Sequence, residues 1–253
     1  MLEAFNYMFK DNMFKKKAFM YFILFFIANF ICNYSKMFFS AIKHLPNHHY
    51  SLIFSLLLIF ALLFAISLFI VSGGYNISCV KAIIEQKKNY ILPFINFKRD
   101  IIIGLKYGIS LLVLLLTLFL IYVFVVALVG LIMPFATEFI SKLLNIILTI
   151  LPFFYMLAFT CIYAKTEKLA SYVSFFVATK LISLDFWNYF KYFTVCVVFL
   201  ILWNVINATI MGIFDSGVVQ LFIRSLLLSL IASYTVFLCA YLTAKSVKSE
   251  CIE

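Results

Sequence analysis

Six apolar segments, each long enough to cross a bilayer as a helix, constrain the fold of this chain most strongly. A bilayer core about 30 Å thick needs about 20 consecutive apolar residues in a helix. Hydropathy in the segments is continuous and does not alternate between neighbouring residues, which favours helices over strands. They cover residues 18–39, 51–72, about 103–133, 143–164, 192–214 and 218–244.

The composition agrees with a membrane protein and excludes a soluble domain. Apolar residues make up 66% of the chain and charged residues 12%, whereas soluble domains have about 45–50% and about 25%. We therefore predict an all-α, polytopic fold in which residues 1–253 form a single integral membrane domain with six transmembrane helices. The hydropathy of 1–133 resembles that of 134–253, which hints at a weak duplication of three spans each.

The distribution of the cations predicts the orientation. Of the 20 Lys and Arg residues, 16 lie before the first segment, in connections 73–106 and 165–191, or in the tail. The other four are Lys36, Lys43, Lys142 and Arg224. Because cytoplasmic loops of membrane proteins accumulate Lys and Arg, we predict a multi-pass protein of the bacterial cytoplasmic membrane with both termini in the cytoplasm. The formal charge of +10 then reflects topology, and we expect no nucleic-acid partner.

Two cytoplasmic connections have the pattern of amphipathic interfacial helices. In the first, Ile77, Val80 and Ile83 fall on one helical face and Lys81 and Lys88 on another. In the second, residues 169–182 are too short to span comfortably and could be interfacial or re-entrant. Cations at such a surface attract anionic lipids. The candidate lipid-headgroup contacts are Lys81, Lys87, Lys88, Lys98 and Arg99.

Polar residues inside the spans are few and carry no recognisable chemistry. Arg224 lies near the outer end of the sixth segment, where its long side chain can reach the interface. Asn204 and Asn207 share one face of the fifth segment and are expected to hydrogen-bond between helices, or alternatively to line a cavity. Known catalytic, nucleotide-binding and zinc motifs are missing from the sequence. We therefore predict no catalytic residue, cofactor or metal.

Several short motifs in the first 110 residues resemble a known family. They are the opening aromatic segment with Lys10-Asp11, followed by Lys16-Lys17, then Gly73-Gly74-Tyr75, Leu92-Pro93-Phe94, and Gly104 with Lys106. Together they resemble the domain of unknown function 4013 family of polytopic membrane proteins, which is distantly similar to the membrane domain of some glycerophosphodiester phosphodiesterases. The family pattern places one residue between the proline and the aromatic, whereas here Phe94 follows Pro93 directly. The resemblance implies a fold and a location and no activity.

The motif residues also have a physical interpretation. Gly73 and Gly74 are expected to end the second helix with a left-handed cap, and Tyr75 to lie at headgroup level. Leu92-Pro93-Phe94 is expected to turn the chain back, and Gly104 to permit close helix contact. These are architectural roles. The predicted function is that of a non-enzymatic scaffold, accessory or lipid-interacting module, with possible partner membrane subunits; the alternatives are a transporter subunit and a lipid-modifying enzyme.

Overall fold

The computed structural model describes residues 11–42, 48–85, 92–132, 137–168, 175–184, 186–213 and 217–246. Within these residues every regular element is a helix and there is no strand. The helices are α1 Phe14–Ile42, α2 His48–Glu85, α3 Phe97–Ile132, α4 Thr137–Thr166, α5 Phe175–Leu184, α6 Phe186–Ile213 and α7 Val218–Ser246.

Four helices are long and apolar enough to cross a membrane among the residues described: α1, residues 52–85 of α2, α3, and residues 218–245 of α7. The shortest of these segments has 28 residues, which corresponds to about 42 Å at the helical rise. Helices α4 and α6 have comparable lengths of 30 and 28 residues. The all-helical prediction is confirmed, and of the six predicted spans these four meet the length and hydropathy criteria.

Helix α2 lies in the middle of the bundle, packed against α1, α3, α4 and α7. It runs antiparallel to α1, since Tyr21 near the start of α1 hydrogen-bonds Ser72 in the second half of α2. Helix α7 is antiparallel to α1 as well, because Phe14 packs on Phe237 and Phe26 packs on Phe222, with ring centroids 5.2 and 5.6 Å apart.

The packed core lies toward one end of the bundle. At this end α1 and α3 begin, while α2, α4 and α7 end, and we call it the basic end because it carries most of the described cations. Tyr75, Tyr163 and Phe237 are fully buried there. Toward the opposite end, large apolar side chains of α3 lie on the surface of the protein: Phe124 is 67% exposed and Leu131 is 86% exposed. Such side chains are compatible with a lipid environment.

The predicted amphipathic stretch after the second span is not a separate helix over the residues described. Helix α2 continues without a break through Gly73 to Glu85. Its apolar face at Ile77, Val80 and Ile83 is buried in the core of the protein, so the periodicity reflects helix packing. Residues 86–91 lie outside the described residues.

In the second connection, α5 covers only ten residues. Ala178, Leu181 and Ile182 form its buried face, and it packs against α4 and α6. Its helical spacing agrees with an amphipathic segment. Residues 169–174 of the predicted interfacial or re-entrant stretch lie outside the described residues.

Candidate functional site

A buried ion pair joins the start of α1 to the connection between α2 and α3. The ammonium group of Lys17, whose side chain is 1% exposed, lies 2.6 Å from the carboxylate of Asp11. Lys17 also donates a hydrogen bond to the carbonyl oxygen of Leu92. The backbone N–H of Leu92 in turn donates to Asp11, at 3.2 Å. The two charged residues therefore hold both polar backbone groups of Leu92.

Asp11 also shapes the first turn of α1. Its Oδ1 atom accepts a hydrogen bond from the backbone N–H of Met13 at 2.9 Å, and its carbonyl oxygen accepts one from Phe14. A carboxylate that satisfies free N–H groups at a helix start stabilises that start and interacts favourably with the helix dipole. The same side chain thus begins the helix and neutralises a buried cation.

Pro93 and Phe94 complete the environment of Lys17. The ammonium group of Lys17 lies 4.8 Å from the ring centroid of Phe94, a distance suited to a cation–π interaction. The carbonyl oxygen of Pro93 accepts a hydrogen bond from the hydroxyl of Tyr75 at 3.0 Å. Tyr75 is fully buried and does not lie on the surface. The ring therefore packs inside the protein and its hydroxyl holds the turn, while its level relative to the headgroups stays a prediction.

Asp100 is a second buried carboxylate, located in the first turns of α3 and fully removed from solvent. Its Oδ1 atom accepts hydrogen bonds from the hydroxyl of Ser78 at 2.9 Å and from the side chain of Arg99 at 2.8 Å. Its Oδ2 atom accepts one from the backbone N–H of Asn96 at 2.8 Å. Arg99 further donates to the carbonyl oxygen of Phe94 at 3.1 Å. Asp100 therefore links α2 to the start of α3.

Gly74 and Gly104 are the point of closest approach between α2 and α3. A Cβ atom built on Gly74 would overlap the carbonyl oxygen of Asp100, and one built on Gly104 would overlap the carbonyl oxygen of Ile70. Gly73, in contrast, has open space at the corresponding position. The close contact expected of Gly104 is present. The predicted left-handed cap at Gly73 and Gly74 is wrong, because α2 is continuous there and neither glycine has a positive φ.

The structure thus brings together most of the residues that carried the family resemblance. They form one unit at the basic end, which we call the motif junction: Asp11, Lys17, Gly74, Tyr75, Leu92, Pro93, Phe94, Asp100 and Gly104. Lys10 lies outside the described residues, and Gly73 is adjacent to the junction, where a Cβ atom would meet nothing within 4 Å.

Sequence reasoning missed Asp100 as a member of this junction, and it placed Lys17 in the first motif only together with Lys16 and without a partner. Lys17 is one of three consecutive lysines, and only its helical position distinguishes it from its exposed neighbours Lys15 and Lys16. For Asp100 a signal was available, since it is one of only ten acidic residues in the chain and adjoins an arginine at a helix start.

The five predicted lipid-headgroup residues have different environments. Lys98 and Arg99 are exposed, although Arg99 is engaged with Asp100. Lys81 is paired with Glu167, which lies just beyond the end of α4. The ammonium group of Lys81 also lies 3.9 Å from the carboxylate of Glu85. Lys87 and Lys88 lie outside the described residues.

Of the three polar residues predicted to lie inside the spans, only Arg224 has a described side chain. Arg224 is half-buried and lies nearly two turns into α7. Asn204 and Asn207 belong to α6, but their side chains lie outside the described part of the structure. Ser225, the residue after Arg224, is fully buried. Its hydroxyl accepts a hydrogen bond from the Asn33 amide at 3.1 Å, which joins α1 to α7. Over the described residues, no three His, Cys, Asp or Glu side chains are grouped as metal ligands would be.

Two lateral grooves of similar size follow α1. The first, of about 360 Å³, lies between α1 and α2 toward the opposite end and is lined almost wholly by apolar side chains, among them Phe30, Phe38 and Leu57. The second, of about 350 Å³, lies between α1 and α7 at the basic end and includes Lys15 and Tyr234. Only the second groove has a cation among its described lining residues.

Comparison with known proteins adds no assignment to this geometry, since no family model, curated protein or solved structure matches the chain.

Proposed function

We propose that this chain is a six-span integral membrane protein whose basic end faces the cytoplasm and binds anionic lipid headgroups, serving as a non-enzymatic scaffold or accessory module. The observation that carries the proposal is a division among the charges of the basic end. The buried charges are committed to structural contacts, while most of the other cations are exposed.

The six-span arrangement extends the four apolar helices already described. Helices α4 and α6 contain 30 and 28 residues, enough to cross a core about 30 Å thick. Even numbers of spans return both termini to one side. The excess of Lys and Arg at the basic end supports a cytoplasmic location for it. We assign α5 to the membrane interface, because exposed Lys180, Phe186 and Trp187 lie within it or directly after it.

The exposed cations provide the lipid-binding surface. In an anionic leaflet, each Lys or Arg near the surface contributes about 1 kcal/mol of attraction. Among the residues described, the exposed cations of the basic end are Lys15, Lys16, Lys98, Arg99, Lys106, Lys165, Lys168, Lys180, Lys191 and Lys245. Lys98 and Lys106 have no ion pair among the described residues, so their charge is available to lipid.

The buried carboxylates support a non-enzymatic role. Asp11 accepts from Lys17, Met13 and Leu92, and Asp100 accepts hydrogen bonds from three further groups. A general acid or base needs access to a substrate proton, and here both oxygens of each buried carboxylate already accept hydrogen bonds from the protein. The resemblance to the membrane-protein family also supports this proposal. Its motif residues form the motif junction, where their contacts are structural.

A transporter or permease-like subunit is the second candidate. Half-buried Arg224, inside an apolar helix, is the observation that favours it, because charged residues in spans often line pathways. A lipid-modifying enzyme is the third. Solute uptake by vesicles that contain the purified protein would favour transport over the scaffold role.

Competitive lipid binding tests the proposed function. Native mass spectrometry of the purified protein, titrated with phosphatidylglycerol and phosphatidylcholine, should show a preference for the anionic lipid that falls as salt rises. The double variant Lys98→Gln/Lys106→Gln should lose this preference by about tenfold or more, given the attraction expected for each cation.

The matched control is Lys142→Gln at the opposite end, where the lysine is exposed and paired with Glu138 at 2.7 Å. It should leave the lipid preference unchanged. Equal binding of the two lipids by the unmodified protein would contradict the proposal.

A further inference from the structure

The groove between α1 and α7 at the basic end has the chemistry of a site for one anionic phospholipid. Its α1 wall includes Phe14, Ala18 and Phe22, which follow one another at helical i, i+4 spacing. Its α7 wall includes Leu230 and Tyr234. The volume of about 350 Å³ lies within the range of about 300–1,000 Å³ typical of small-molecule pockets.

Polar groups are concentrated at one edge of this apolar groove. Lys15 is exposed in the first turn of α1, the level at which a lipid phosphate would lie in the proposed orientation. Lys15 has no ion pair with any described carboxylate. Tyr234, exposed to 52%, adds a hydroxyl to the same groove. A cation beside an apolar channel complements a molecule that has an anionic head and an acyl chain.

The first groove provides an internal comparison. It has nearly the same volume, about 360 Å³, yet its lining consists of apolar side chains with the hydroxyls of Tyr34 and Ser35 and no cation among the described residues. An acyl chain of any lipid could enter it. The charge at the second groove is therefore what distinguishes an anionic lipid from a neutral one.

We propose that a single anionic phospholipid binds in the α1–α7 groove, with its phosphate on Lys15 and an acyl chain along Phe14, Ala18 and Phe22. This inference rests on the proposed orientation and deepens the proposed lipid-binding function. It differs from it in one respect: the proposed function needs only a diffuse positive surface, whereas this site requires one particular lysine.

Quenching by brominated lipids measures binding at the groove itself. The reporter is Phe19→Trp, whose native side chain lines the groove and is 61% exposed, with Trp187 and Trp203 replaced by Phe. In reconstituted bilayers, dibromo-phosphatidylglycerol should quench this Trp at several-fold lower mole fraction than dibromo-phosphatidylcholine. A second reporter, Leu57→Trp in the uncharged groove, should respond equally to both lipids.

Two lysine variants separate a site from a diffuse field. Lys15→Gln should reduce the anionic preference at the Phe19→Trp reporter by about fivefold, the upper end of the effect of one direct, exposed ion pair, because the phosphate would lose its partner. Lys16→Gln removes the same charge from an exposed neighbour that does not line the groove, and it should leave the preference within about twofold.

The outcomes distinguish the two proposals. Equal losses from Lys15→Gln and Lys16→Gln would overturn the groove site and leave the diffuse lipid attraction intact. No anionic preference at the reporter, together with none by native mass spectrometry of the protein with its native tryptophans, would overturn both. If the Trp reporter disturbs the groove, the same pair of lysine variants compared by mass spectrometry gives the same decision.

Discussion

Lys17 has all the donors of its ammonium group directed into the protein. The side chain is 1% exposed and contacts Asp11, the carbonyl oxygen of Leu92 and the ring of Phe94. Burial of an unpaired ammonium group is very costly, so the cation can remain buried only while these partners are present. The ion pair consequently ties the position of α1 to that of the α2–α3 connection.

Removal of one member of this pair should destabilise the protein more than removal of both. We expect Lys17→Met to lower the unfolding free energy by about 3–5 kcal/mol, because Asp11 is left buried without its partner. Lys17→Met/Asp11→Asn should recover a substantial part of that loss. Unfolding in mixed micelles, followed by circular dichroism, measures both.

Lys16→Met is the control, since Lys16 is exposed one residue away. Its unfolding free energy should change by no more than about 0.5 kcal/mol. Additive effects of the two single substitutions at Lys17 and Asp11 would contradict a coupled pair.

Asp100 should likewise be sensitive to loss of its charge. Asp100→Asn replaces one acceptor oxygen by an NH₂ group that would face N–H or O–H donors now bound to the carboxylate. We expect a loss of about 1.5–3 kcal/mol, the range for hydrogen bonds to charged groups. The measurement is the same unfolding assay, and Asp100→Asn with unchanged stability would show that the carboxylate is not the link between α2 and α3.

At the scale of elements, the contact between α2 and α3 depends on one glycine from each helix. Gly74 and Gly104 each leave room for the backbone of the other helix, and small residues at such crossings let helices approach closely in membranes. The resulting close packing is what allows Ser78 of α2 to reach Asp100 of α3. The glycines and the hydrogen bond therefore support each other.

Alanine substitution should separate the contact glycines from their neighbours. Gly74→Ala and Gly104→Ala should each destabilise by at least about 1–3 kcal/mol, the cost of overpacking a close contact. The matched controls are Gly73→Ala and Gly108→Ala, where a Cβ would enter open space.

These controls should be neutral or stabilising by up to about 1 kcal/mol, because Ala favours a helix over Gly. Thermal unfolding in detergent reports all four variants. Equal effects at the four positions would show that helix propensity, and not the crossing, governs the result.

At the scale of the whole molecule, charge and packing are both asymmetric along the bundle axis. The basic end has the buried core and most cations, while the opposite end leaves α3 side chains such as Leu131 exposed. Membrane insertion in the proposed orientation would account for both observations, because exposed apolar side chains are stable in lipid and cytoplasmic loops accumulate cations.

Reporter fusions test the proposed orientation, in which the basic end faces the cytoplasm. A fluorescent protein that folds only in the cytoplasm should be bright after Lys168 and after Glu253, and dark after Lys142. Alkaline phosphatase, which is active only outside the cytoplasm, should give the reverse pattern. An active phosphatase after Glu253 would contradict a cytoplasmic C-terminus, and the same result after Lys168 would contradict four preceding spans.

The sequence by itself determined the class of fold. Continuous apolar segments predicted helices, and α1, α3 and α7 contain most of segments 18–39, 103–133 and 218–244. Hydropathy is a local property, so a window of about 20 residues contains the information needed. The motifs also marked the region that matters, although Gly73-Gly74 was predicted to end a helix that in fact continues.

Only the tertiary structure decided which polar groups meet. Lys17 and Leu92 are 75 residues apart, and nothing in either local pattern distinguishes Lys17 from the two lysines before it. Their contact exists because α2 lies antiparallel to α1 and α3, which brings the start of α1 to the connection that follows α2. Pairing across the bundle depends on helix packing and on backbone approach at Gly74 and Gly104, and neither of these is a property of a single segment.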